Sequence, residues 1–73
     1  MKKMNCRIVL KNEQAIMVND FDCIKAPKNN GDMQVFKKED IEKLNLIDGV
    51  TYTIIGSEIV KVKGEQILFI QFK

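Results

Sequence analysis

The chain has no histidine, one serine, one proline and only two cysteines. Without histidine, Ser57 and the cysteines lack the usual general base for nucleophilic catalysis. Two thiols supply at most half of a four-ligand zinc site. The four glycines stand alone, so no glycine-rich phosphate loop is present. We therefore predict a protein that is not an enzyme and that binds neither a metal nor a cofactor.

The two cysteines allow a single bridge, which is not a disulfide framework. Lone cysteines more commonly serve as small buried hydrophobic side chains. We expect Cys6 and Cys23 to fill that role, although their spacing leaves open whether they lie close together.

Long apolar runs are also missing, since none approaches the roughly 18 residues of a membrane span. The amino terminus starts with lysines like an export signal, but polar residues at positions 5, 7, 11 and 12 interrupt the apolar stretch that such a signal needs. We expect one small soluble domain over residues 1–73 with no membrane partner. Its expected location is the cytoplasm of a bacterium or of a phage-infected host cell.

The charge balance is close to neutral. The net charge is +2, and all basic residues except Arg7 are lysines. Bidentate contacts to phosphates and base edges favour arginine. The overall charge therefore gives no argument for a nucleic-acid partner.

Alternation of apolar residues predicts strands in the first half of the chain. Residues 6–10 alternate with the period of a half-buried strand, and residues 15–18 resume this character after a polar break. These two segments predict a hairpin. Residues 21–25 either prolong this hairpin or form a short third strand. Residues 33–36 are a further short strand, and residues 26–32 are a turn rich in Asn and Gly.

One segment, residues 37–45, has helical spacing. Ile41 and Leu44 fall three apart, acidic residues lie early, as the helix dipole prefers, and Asn45 ends the segment. About two turns are too few to stand alone. This helix must therefore be held by packing through Ile41, Leu44 and Phe36.

Three strand-like runs follow a turn at residues 48–49. They cover residues 50–55, 59–63 and 66–72, and separators of hairpin length lie between them. We therefore predict an antiparallel three-strand meander at the carboxyl end of the chain.

The fold class that accommodates these elements is mostly β. We predict a small antiparallel β-barrel of the Src-homology-3-like kind, with one short helix before the carboxyl-terminal meander. An α+β roll, with the helix across one sheet face, is the alternative that the pattern does not separate.

The last predicted strand carries apolar residues on both faces. Leu68, Ile70 and Phe72 occupy one face, and Ile67 and Phe69 the other. Such a strand is either covered twice or offers one face to another chain. Ile67 and Phe69 are therefore candidate partner-binding residues.

Two lysines, Lys61 and Lys63, complete the set of candidate partner-binding residues. They alternate with valines in the middle strand of the predicted meander and should point to water. Together with Lys73 and an aromatic platform at Phe69 or Tyr52, they could bind a single-stranded nucleic acid. In the simpler interpretation the aromatic residues are core and the lysines keep the surface soluble.

Acidic residues form two further clusters. Asp20 and Asp22 lie two apart, so on a strand they would share one face and could bind a cation. No third type of ligand accompanies this pair, so we interpret it as solvated surface. The acidic residues at positions 39, 40 and 42 fall in the predicted helix, and those at 39 and 40 precede Lys43 by four and three residues, the spacing of helical ion pairs. We interpret this second cluster as a solvated first turn of the helix, and docking of a basic partner is the alternative.

Five segments together carry a likeness to a class of proteins. They are Ile8-Val9-Leu10-Lys11-Asn12, Asp20-Phe21-Asp22, Val35-Phe36, Glu39-Asp40-Ile41 and Ile67-Leu68-Phe69-Ile70. Through them the chain resembles the small uncharacterised barrel proteins that phages and mobile elements of low-GC bacteria carry. Such proteins often act by stoichiometric binding, including antagonism of defence systems such as CRISPR nucleases, and the resemblance implies that possibility here.

Three functional hypotheses follow from these observations. The leading one is a non-catalytic binding protein, a phage or mobile-element accessory factor that inhibits a host protein such as a bacterial defence system. The second is a small barrel that binds single-stranded nucleic acid through its lysines. The third is a homo-oligomer that sequesters a nucleotide-like ligand at its subunit seams.

Overall fold

The computed structural model describes residues 4–28 and 31–73. These residues form a mostly β fold of seven strands and two short 3₁₀ helices. The strands are β1 (Cys6–Leu10), β2 (Ala15–Val18), β3 (Cys23–Pro27), β4 (Met33–Lys37), β5 (Thr51–Ile55), β6 (Ile59–Lys63) and β7 (Ile67–Phe72). The 3₁₀ helices are η1 (Lys38–Lys43) and η2 (Gly64–Gln66).

The strands form two antiparallel sheets. The three-stranded sheet has the order β2-β1-β7, and the four-stranded sheet has the order β4-β3-β5-β6. The residues that alternate inward from both sheets make one hydrophobic core, because each sheet has one apolar face to bury. The fully buried side chains of this core are Cys6, Ile8, Val18, Phe21, Ile24 and Ile54.

The predicted amino-terminal hairpin is confirmed. β1 and β2 pair with Cys6 opposite Val18 and Ile8 opposite Ile16, so the alternating apolar residues share the inner face. The polar link closes because the Leu10 N–H donates to the Gln14 carbonyl oxygen at 2.8 Å. Local alternation was enough to predict this element.

The turn between β3 and β4 is shorter than predicted. Pro27 ends β3 opposite Met33, whereas the sequence had placed Pro27 in the turn. The Lys28 N–H donates to the Asp32 carbonyl oxygen at 2.6 Å, and Gly31 adopts a φ of 90°. The two asparagines of the predicted turn, at positions 29 and 30, lie outside the described residues.

The predicted helical segment is a 3₁₀ helix of six residues, η1, and not two full turns of a regular helix. The Lys37 N–H donates to Asp40 Oδ2 at 3.3 Å, which caps the start of η1. Ile41 and Leu44 pack against the core as expected, and Phe36 lies within it. Neither helix in the described part of the chain has the length and apolar character needed to cross a membrane.

The predicted carboxyl-terminal meander is wrong in its last step. β5 and β6 form the expected hairpin, but β7 pairs with β1 in the other sheet. The separator after β6 is the 3₁₀ turn η2, which redirects the chain. The Gly64 N–H donates to the Val50 carbonyl oxygen at 2.8 Å, and a Cβ on Gly64 would meet the Ile47 carbonyl oxygen. This close backbone approach explains why the separator does not form a simple hairpin loop.

The link between β2 and β3 joins the two sheets. The Asn19 carbonyl oxygen accepts a hydrogen bond from the Ser57 N–H at 2.8 Å, and a Cβ on Gly56 would lie 2.6 Å from that oxygen. Phe21 enters the core beside Phe72, with ring centroids 5.1 Å apart in an edge-to-face arrangement. The link therefore ties both sheets to one core.

Candidate functional site

The structure separates the two candidate residues on β7. Ile67 is 4% exposed and belongs to the core, so the prediction that Ile67 shares an exposed face with Phe69 is wrong. Phe69 is 45% exposed, which keeps it as a candidate. An irregularity in the ladder between β1 and β7 explains the difference. Leu10 pairs with Ile67 and Val9 with Phe69, so Leu68 is an extra residue and the alternation shifts there.

The outer face of the three-stranded sheet is apolar. In one row of the ladder Val9 lies between Ala15 and Phe69. Met17 on β2 and Leu68 on β7 are 44% and 58% exposed. We call these five residues the apolar patch. Sequence alternation could not find the patch, because β7, which carries Leu68 and Phe69, pairs with β1 from the other end of the sequence.

One charged residue lies beside the apolar patch. Arg7 occupies the next row of the three-stranded sheet, between Met17 and Gln71. Its half-buried side chain can lie along the sheet with its guanidinium group in water. The surface is therefore an apolar area with a polar margin.

The outer face of the four-stranded sheet carries lysines together with three exposed apolar residues, Met33, Val35 and Ile59. Lys61 and Lys63 are exposed on β6, as predicted, and pair with Thr53 and Thr51 of β5. The ladder also brings in two lysines that sequence reasoning missed as site residues. They are Lys25 on β3 and Lys37 on β4, and the four together are called the lysine face.

The predicted combination of lysines with an aromatic platform is wrong. Tyr52 is 2% exposed. Its hydroxyl donates to the Asn45 carbonyl oxygen and accepts from the Ile47 N–H, both at 2.9 Å. Tyr52 is therefore a core residue that holds the loop before β5. Phe69 belongs to the other sheet, so neither aromatic ring shares the outer face of the four-stranded sheet with Lys61 and Lys63.

Both cysteines are free and buried, as expected of small hydrophobic side chains. Burial raises the pKa of the Cys6 thiol from 9.0 to about 11. A thiol with so high a pKa is almost fully protonated at neutral pH, and the protonated form is a poor nucleophile. Cys6 is therefore a packing residue.

The acidic candidates lie in turns and in η1. Asp20 adopts a φ of 54°, and its N–H donates to Asn5 Oδ1 at 3.3 Å. Asp22 is exposed, and its N–H donates to the Ile55 carbonyl oxygen. Within residues 4–28 and 31–73, no group of three His, Cys, Asp or Glu side chains is placed to hold a metal ion.

A cleft of about 390 Å³ opens between the β3–β4 hairpin and the loop before β5. Phe36, Ile47 and Tyr52 are among its lining residues, and Lys28 is the charged residue that lines it. The cleft has too few converging polar groups to orient a nucleotide-like ligand. The hypothesis of a nucleotide-like ligand between subunits stays a prediction.

No protein-family model, curated protein or solved structure matches this chain. The resemblance to small barrel proteins of phages and mobile elements stays a prediction. The geometry offers two surfaces for binding, the apolar patch and the lysine face.

Proposed function

We propose that this protein is a non-catalytic binding protein that uses the apolar patch to bind another protein. The observation that carries the proposal is the exposure of Met17, Leu68 and Phe69 on neighbouring positions of one sheet face. Single exposed apolar residues are common, but a contiguous group on a rigid sheet is typical of an interaction site. Aromatic residues often anchor such interfaces. Phe69 is the proposed anchor.

The rigidity of the surface supports this proposal. Val9 lies at the centre of the patch on β1, the middle strand of the sheet, and the opposite face of β1 places Cys6 and Ile8 in the core. A surface built on a paired, core-packed strand loses little conformational entropy on binding. The patch therefore needs no rearrangement to meet a flat apolar partner.

We propose further that the two sheets are halves of one small, partly open barrel of the Src-homology-3-like kind. The link between β2 and β3 and the turn η2 each pass from one sheet to the other. Both edges of β3 are paired, so the sheets would join end to end through two bent strands, β2 running into β3 and β6 running into β7. An experimental structure in which β2 with β3, and β6 with β7, form bent strands shared by both sheets would support the barrel. Two sheets packed face to face without such shared strands would contradict it.

Paired capture experiments test the protein-binding proposal. Tagged chain is incubated with bacterial lysate, and captured proteins are identified by mass spectrometry. The double variant Leu68→Gln with Phe69→Gln should lose a partner that the wild-type chain retains. The matched control is Ile59→Gln, because Ile59 is 68% exposed on the other sheet. Equal capture by wild type and both variants would contradict the proposal.

The narrower proposal is that the bound protein is a host factor such as a bacterial defence nuclease, which the chain inhibits. This role rests on the resemblance to phage proteins. Expression of the chain in a bacterium with an active defence system should raise the number of plaques formed by a sensitive phage. The Leu68→Gln, Phe69→Gln variant should not raise it. No effect of the wild-type chain across several defence systems would contradict inhibition without removing the binding proposal.

A further inference from the structure

The lysine face is a second surface, independent of the apolar patch. The charged residues on the strands of the four-stranded sheet are Lys25, Lys37, Lys61 and Lys63, all exposed. No acidic residue lies on these strands, all of which belong to the described part of the chain. We propose that this face binds the phosphate backbone of double-stranded nucleic acid without reading its base sequence.

The strand register places the lysines in an ordered array. Thr53 pairs with Lys25 on one side and with Lys61 on the other, so these three residues form one row across the sheet. Two strand spacings separate Lys25 from Lys61 by about 10 Å, and two residues along β6 separate Lys61 from Lys63 by about 7 Å. Such an array presents several positive charges to one phosphate backbone at once.

The residues between the lysines fit phosphate contacts. Thr51 and Thr53 share the outer face with Lys61 and Lys63, and threonine hydroxyls commonly donate to phosphate oxygens. Lysine binds phosphate as a point charge, which positions a protein on a backbone without reading sequence.

A duplex fits this face better than a single strand. Binding of single strands without sequence preference relies on aromatic rings on which the bases stack. Tyr52 is buried and Phe69 lies on the other sheet, so neither ring accompanies the lysines. The duplex also has the denser charge, with one phosphate per about 1.7 Å of axis.

Nearby acidic residues define one end of the proposed site. Asp22 directly precedes β3 and Glu58 directly precedes β6, and both are exposed. Cys23 and Ile59 follow these two acidic residues in the sequence. Cys23 pairs with Lys37 on one side and with Ile55 on the other, and Ile55 pairs with Ile59, so the acidic residues lie next to the row that contains Lys37. The row of Lys25 and Lys61 lies further from these carboxylates. We therefore expect the backbone to lie over that row and Lys63.

Fluorescence anisotropy with a labelled duplex of about 20 base pairs tests this inference. Titrations run at several salt concentrations between about 25 and 200 mM, because each neutralised phosphate adds about −0.9 to the slope of log affinity against log salt. Three contacts, by Lys25, Lys61 and Lys63, predict a slope of about −2.7. The variant Lys25→Gln with Lys61→Gln should have a slope of about −0.9 and bind at least about tenfold more weakly at 50 mM salt. The control variant, Lys11→Gln with Lys73→Gln, removes the same charge and should stay within about twofold of wild type.

Four results would overturn the proposal. The first is no duplex binding at the lowest salt, and the second is equal weakening by both double variants. The third is tighter binding of a single strand of the same length, which would indicate base stacking. The fourth is equal binding of polyglutamate, which would indicate an acidic protein as the partner.

Discussion

The outer faces of the two sheets differ in charge, although both expose apolar side chains. The face of the three-stranded sheet carries one charged residue, Arg7, among apolar neighbours, whereas the face of the four-stranded sheet carries four lysines. All ten acidic residues of the chain lie outside the strands. A net charge of +2 therefore hides a marked separation of charge within a small fold. The pairing of distant strands, and not the overall composition, decides what each surface can bind.

The largest expected effect separates the two sides of β7. Ile67→Glu places a carboxylate in the core and should cost about 4 kcal/mol or more, comparable to the whole stability of a domain of this size. Phe69→Glu places the same group on the exposed face and should cost about 1 kcal/mol or less. Urea unfolding followed by circular dichroism measures both. Similar losses for the two variants would show that the assignment of the two faces is wrong.

The next effect concerns the turn that carries β7 from one sheet to the other. Gly64→Ala pushes a Cβ into the Ile47 carbonyl group and should cost about 2 to 3 kcal/mol, because a backbone atom cannot move aside cheaply. Gly49→Ala is the control. Gly49 has open space around it but a φ of 83°, so Gly49→Ala should lower the free energy of unfolding by about 1 kcal/mol. Thermal unfolding compares them, and an equal or smaller loss at Gly64 would contradict the packing of η2 against the loop.

A pH effect of similar size tests the burial of Cys6 under the three-stranded sheet. The pKa of its thiol is raised from 9.0 to about 11 by burial, so between these values the native state binds more protons than the unfolded state. The contribution of Cys6 to the free energy of unfolding should therefore be complete below pH 9. The free energy of unfolding should fall by about 2 kcal/mol as the pH rises to 11. Urea unfolding at pH 8 and pH 11 measures the fall. The Cys6→Ala variant should lack the part of this fall that comes from the thiol. An identical fall in the wild type and the variant would contradict the burial of an un-ionised Cys6.

The smallest expected effect belongs to the lysine face. Thr51 pairs directly with Lys63, so Thr51→Glu should form a cross-strand ion pair worth about 0.2 to 1 kcal/mol at low salt. Thr51→Gln is the control, because it keeps the size of the side chain without its charge. The difference between the two should vanish at high salt, because salt screens surface pairs. A difference that persists at about 1 M salt would show that charge is not its cause.

The sequence predicted the local elements well. Three features depend on neighbours within a few residues, so the local pattern was enough to predict them. They are the alternation in β1 and β2, the turn at Gly49 and the packing of Ile41 and Leu44. The pairing of β7 with β1, and not with β6, could not be predicted, because a short separator containing glycine suits a hairpin as well as a 3₁₀ turn. Only the contact of Gly64 with the Ile47 loop decides between them.

The candidate site was predicted in part for the same reason. Phe69, Lys61 and Lys63 were recognised from their own strands and are exposed. Ile67 was misplaced because the extra residue Leu68 shifts the alternation, and no local signal marks such an irregularity. Each face could not be assembled from the sequence, because the pairing of β7 with β1 and of β5 with β3 joins segments that lie far apart in the sequence. A surface of this kind becomes visible only after the register is known.

The central claim is that the two faces bind different partners independently. The most direct measurement assays both kinds of binding on two variants, Phe69→Gln for the apolar patch and Lys25→Gln with Lys61→Gln for the lysine face. The account predicts that Phe69→Gln loses the captured protein and keeps duplex affinity within about twofold, whereas the lysine variant keeps the protein and loses duplex affinity by about tenfold or more. Loss of both kinds of binding in either folded variant would contradict the claim.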